Sequence, residues 1–100
     1  MGDVTERSKK QQFVLKKECL QLFRKQYCLT LRETEILESL ITTENSVQVI
    51  ADAFYISRRS LQRHIASIYE KTGTKSRIGL FHIYMTLLLE EMNMESNSVD

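Results

Sequence analysis

Residues 46–73 read SVQVIADAFYISRRSLQRHIASIYEKTG, and the fold turns on how this stretch divides. Apolar side chains recur at Val47, Ile50, Ala51 and Phe54, the i, i+3, i+4, i+7 pattern of a short helix buried on one side. Tyr55 and Ile56 break the pattern as a turn, and Leu61, Ile65 and Ile68 then resume it. Ser46 and Ser57 stand where N-caps belong, each able to accept a backbone N–H from the turn it precedes. Gly73 falls at the C′ position, where φ > 0 is usually required. A helix, a short turn and a second helix, with small Ala51 where the two cross, is the arithmetic of a helix-turn-helix.

With Leu61, Ile65 and Ile68 inward, Arg59, Gln62, Arg63, Ala66 and Glu70 face solvent. Arg58, Arg59, Arg63 and His64 crowd the front half of this helix. Long donors around one small residue suit a major groove, and a helix N-terminus adds its own attraction for anions. Bundles that bind only proteins use the same geometry.

The formal net charge of +1 hides a strong segregation. Residues 1–28 carry seven Lys/Arg against three acids, and residues 29–56 one against five. Residues 57–77 carry six against one, and residues 78–100 none against four. A basic block between two acidic ones is expected of a polyanion-binding face, and also of a merely solvated helix.

Outward from the central stretch, Thr30 opens the capping box TLRE, in which Thr30 and Glu33 bond each other's backbone N–H. The helix behind it runs to about Ile41 and buries Ile36, Leu37, Leu40 and Ile41. Gln11 to Tyr27 forms a leading amphipathic helix with Leu15, Cys19, Leu22 or Phe23, and Gln26 in succession. Ser76 caps a last helix from Arg77 to about Met92. Residues 1–10 and 93–100 are polar and expected to be disordered. With no proline and three glycines in 100 residues, the chain reads as all-α: a four- to five-helix bundle containing the helix-turn-helix, in one domain over residues 28–92 plus the leading helix.

Several functions are excluded. Cys19 and Cys28 fit neither a disulfide framework nor a common metal spacing, and read as two buried, reduced thiols. His64 and His82 lie on different helices without an arranged partner, and no glycine-rich loop cradles phosphate. The chain is therefore expected not to be an enzyme and to need no cofactor or metal. Tyr55, Tyr69 and Tyr84 read as core or interface. The apolar run from Ile78 to Leu89 is interrupted by His82 and is shorter than the roughly 20 residues a bilayer requires. A soluble protein without membrane contact is expected.

Residues 29–82 resemble the DNA-binding domain of LuxR-type transcription regulators, a tetrahelical helix-turn-helix. LTLRETEIL supplies Leu29, Thr30, Arg32, Glu33, Glu35, Ile36 and Leu37 of the family's opening motif. Its central motif appears as Ile50, Ala51, Phe54, Ile56 and Ser57, then SLQRH, and its close as Ile68, Lys71, Gly73, Ser76 and Arg77. The resemblance implies base-edge and groove contacts from Gln62, Arg63 and Ala66. It implies phosphate contacts from Arg59, Ser60, His64, Lys71 and Lys75, with Arg58 beside them. It also implies a homodimer through the last helix, for which Leu80, Phe81, Tyr84, Leu87 and Leu88 are the candidates. Double-stranded DNA is the implied partner and the bacterial cytoplasm the implied compartment, with RNA polymerase a further partner the family admits.

Three departures stand out. Leu31 replaces a proline at the first helical turn, TTEN lengthens the following loop, and Ala66 replaces a residue that is often basic or polar. The leading helix resembles the segment before this domain in longer members, including membrane-tethered ones. SRRSLQRHI alone also resembles AraC-type regulators, but the second helix-turn-helix unit of that family is not apparent. The competing function is a helical interaction domain whose basic face binds an acidic partner protein.

Overall fold

The computed structural model describes residues 17–99, among which every regular element is a helix. These are α1 (Lys17–Tyr27), α2 (Leu31–Thr42), α3 (Val47–Ala53), α4 (Arg58–Thr72) and α5 (Arg77–Val99). Helix α4 packs on both α3 and α2, while α5 packs on α2 and α1. The disorder expected over residues 1–10, and the first part of the leading helix, lie outside the described residues.

Local chemistry sets most boundaries. The Thr30–Glu33 capping box forms in full, with Thr30 N–H on Glu33 Oε1 at 2.9 Å and Glu33 N–H on Thr30 Oγ1 at 3.1 Å. Leu31 therefore opens α2 without proline, since the first helical N–H has no intrahelical partner in any case. Ser46 accepts from Val49 N–H, Ser57 from Ser60 N–H and Ser76 from Gly79 N–H, capping α3, α4 and α5.

Three helices close in the same way, with a left-handed residue after the last turn and a six-to-one backbone bond around it. Leu29 N–H bonds Arg24 O around Cys28, Ile56 N–H bonds Ala51 O around Tyr55, and Thr74 N–H bonds Tyr69 O around Gly73. The φ values are 55°, 57° and 70°. Only the last uses glycine, the residue for which this conformation is free of Cβ strain.

The core gathers Cys19, Leu20 and Phe23 of α1, Ile36, Leu37 and Leu40 of α2, Ile50 and Ala51 of α3, Leu61, Ile65 and Ile68 of α4, and Leu80 and Tyr84 of α5. Ala51 is fully buried, as a close α3–α4 crossing requires. Val47 and Phe54 pack on the core partly buried.

Of the two alternatives on α1 the inward residue is Phe23, tilted against Tyr84 at 5.5 Å between ring centroids, and Leu22 is exposed. Three expectations are corrected. Cys28 is exposed because it is the left-handed residue of a surface turn; it forms no disulfide with Cys19, which is buried. Tyr55 is 95% exposed, for the same reason. Helix α5 continues to Val99 where a disordered tail over 93–100 was expected. No proline or glycine follows Gly79, so nothing breaks the helix.

Candidate nucleic-acid interface

Helix α4 turns a polar face outward because its three buried residues leave no alternative. Leu61 and Ile68 are fully buried and Ile65 nearly so. Gln62, Arg63 and Ala66, expected to meet base edges, are all exposed, as are Arg58, Arg59, Lys71 and Lys75. Ser60 and His64 are half-buried. Ser60 is also tied into the cap, its N–H donating to Ser57 Oγ at 3.0 Å and its hydroxyl accepting from Ser57 at 3.1 Å.

Residues 59, 63, 67 and 71 follow one another by four and so form one ridge of α4. The two ends of that ridge differ. Neither Arg59 nor Arg63 is held in an ion pair among the described residues, and both face solvent. At the other end Lys71 Nζ lies 2.8 Å from Glu33 Oε1, and Ser67 Oγ donates to Glu33 Oε2 at 2.6 Å. The Glu33 side chain is 6% exposed and that of Lys71 33%. Burial pushes the Glu33 carboxyl upward. Hydrogen bonds from Lys71, Ser67 and the Thr30 N–H, with the Lys71 charge, outweigh it and hold the group at about 2 against an ordinary 4.5. The capping box makes Glu33 legible as a helix-start residue; its reach across to α4 is a tertiary contact that no local motif encodes.

Arg77 is a second residue whose role the sequence leaves hidden. Its guanidinium donates to Leu40 O at 3.0 Å, to Thr43 O at 2.7 Å and to Asn45 O. One side chain thereby satisfies carbonyls at the end of α2 and in the TTEN loop before α3, and fixes the approach to Ser46. Arg32 lies over the Phe54 ring at 5.3 Å, joining the start of α2 to the end of α3. The arrangement is a rigidly backed convex helix whose guanidinium and amide donors are engaged by no other described residue. It can bind anions and read hydrogen-bonding edges.

The residues expected at a dimer surface divide. Leu80 and Tyr84 are fully buried in the chain's own core and are unavailable to a partner. Both fall on the side of α5 that meets α1 and α2. Phe81 is 48% exposed, and Leu87 and Leu88 are half-buried. Ile78, Phe81 and Met92 are exposed along the outer side of α5, with Met85 half-buried between them, while Leu87 and Leu88 pack against the core.

No group of acidic, histidine and cysteine side chains able to hold a metal occurs among the described residues, nor is any helix there long and apolar enough to cross a membrane. A family model described as bacterial regulatory proteins, luxR family, matches residues 27–85, more than half the chain. No curated protein and no solved structure matches the chain.

Proposed function

The chain belongs to the luxR family of bacterial regulatory proteins, DNA-binding regulators of transcription, and from that premise we propose that α4 reads double-stranded DNA in the major groove. The observation that carries this reading is the exposed set Arg59, Gln62, Arg63 and Ala66, backed by buried Leu61, Ile65 and Ile68. Gln62 suits the paired donor and acceptor of adenine, and Arg63 the two acceptors of guanine. Ala66 leaves room for the groove floor. Arg58, Arg59, Ser60, His64 and Lys75 surround this face and serve the phosphates, while α3 braces α4 across the backbone. The bacterial cytoplasm is the compartment where such DNA is met.

Pairing through the outer stripe of α5 completes the proposal. Ile78 and Phe81 line an open apolar recess of about 350 Å³ with Leu40 and Ile41, and the stripe continues to Met92. A two-fold pair would present two copies of α4 to half-sites about 10 bp apart.

Selection from a random duplex pool, followed by a salt series on the enriched site, tests the reading. A DNA reader yields a motif, with palindromy if it pairs, and an affinity falling with a log–log slope of about −0.9 for each phosphate neutralised. No enrichment together with a flat response to salt would sink it and favour an acidic protein partner. Sedimentation of Phe81→Glu against the wild type checks the pairing, with dissociation of the variant expected; equal masses would remove the stripe from the interface.

A further inference from the structure

We propose that Glu33 is a positioning residue for DNA reading: it holds Lys71 and Ser67 and so sets the rotation of α4 about its axis. Lys71 then commits its charge to Glu33 instead of to a phosphate. The inference rests on the DNA-binding reading and narrows its footprint to the front half of the helix.

The geometry is specific. One carboxylate takes a donor from its own helix start, Thr30 N–H at 2.9 Å, and two donors from α4, Ser67 at 2.6 Å and Lys71 at 2.8 Å. Ser67 and Lys71 are one turn apart on the ridge that carries Arg59 and Arg63 in its free half. A rigid helix gripped at two points one turn apart cannot roll without breaking both bonds. Apolar packing by Leu61, Ile65 and Ile68 is non-directional by comparison and tolerates small rotations. Arg63 and Gln62 must aim hydrogen bonds at base edges, which demands direction. The charge-assisted bonds at Glu33 supply that direction because they are short and angle-dependent. Glu33 is anchored in its turn by the capping box, so the start of α2 is the reference against which the reading face is set.

A salt series separates this role from a phosphate contact. The enriched duplex and a random duplex are each titrated with the wild type, Lys71→Met, Glu33→Gln and Ser67→Ala, with thermal unfolding run alongside to confirm that each variant folds. Positioning predicts that all three variants lose preference for the enriched over the random duplex by roughly 2- to 30-fold. The salt slope of Lys71→Met stays that of the wild type. Ser67→Ala changes no charge and perturbs folding least, so it carries the test should Glu33→Gln fail to fold. Lys71→Met with a slope shallower by about 1, or Ser67→Ala with undiminished preference, overturns the proposal while leaving DNA binding intact. A wild type that enriches no duplex overturns the DNA reading, and this inference with it.

Discussion

Helices α4 and α5 follow each other directly in the chain and distribute their side chains by opposite rules. On α4 the buried residues Leu61, Ile65 and Ile68 form one side, and Arg59, Gln62, Arg63 and Glu70 the other. On α5 apolar residues point both ways: Leu80 and Tyr84 are fully buried, while Ile78, Phe81, Leu89 and Met92 are exposed. A helix segregated in the first manner announces its outer surface as polar and its chemistry as hydrogen bonding and charge. A helix apolar on more than one side has one face committed to its own core and a surplus that water does not favour. The same bundle therefore carries an exposed polar, basic face on one helix and exposed apolar residues on another.

The sharpest way to break this contrast is within α5 itself. Leu80→Ala should lower unfolding free energy by about 2–5 kcal/mol in urea titrations, against less than about 1 kcal/mol for Phe81→Ala in the dilute monomer. Equal losses would mean that α5 does not have two distinct faces. The next effect belongs to the rear of α4. Glu33 titrates at about 2 when folded against 4.5 ordinarily, so the folded state binds its proton less tightly than the unfolded one. Its stabilisation is complete above about pH 5 and fades as pH falls toward 2, a loss of roughly 3 kcal/mol. Stability measured stepwise between pH 7 and 2 should fall less steeply in Glu33→Gln; parallel curves would show that the carboxylate is not held as the geometry has it.

Smaller effects sharpen the front of α4. Arg63→Ala should cost about 1–3 kcal/mol on the enriched duplex and distinctly less on random DNA. Equal losses would make Arg63 a phosphate contact. The least is expected at Lys75, just beyond the helix. Lys75→Ala should weaken every duplex alike and reduce the salt slope by about 1, and an unchanged slope would place Lys75 outside the footprint.

The same two helices show how far residues alone lead. For α4 the polarity of the sequence is the polarity of the helix, so Gln62, Arg63 and Ala66 are exposed where periodicity sets them. For α5 apolar residues spread over most of its circumference carry no such information. Nothing in the residues separates Leu80 and Tyr84 from Phe81; only packing against α1 and α2 does. Turns divide similarly. Gly73 is readable because glycine marks a left-handed step, whereas Cys28 and Tyr55 take the same step with side chains that give no sign of it. Glu33 to Lys71 and Arg77 to Leu40 span 38 and 37 residues, and no local pattern encodes contacts at that separation.

Arg77 begins α5 and at the same time grips the end of α2 and the loop leading into α3. A guanidinium is flat and bonds in several directions at once, so it behaves less as a strap than as a gusset across the joint. Torque applied to the last helix therefore reaches the end of α2 and the loop leading into α3 through this plate, alongside the packing of α5 on α2, rather than dissipating in a slack connector.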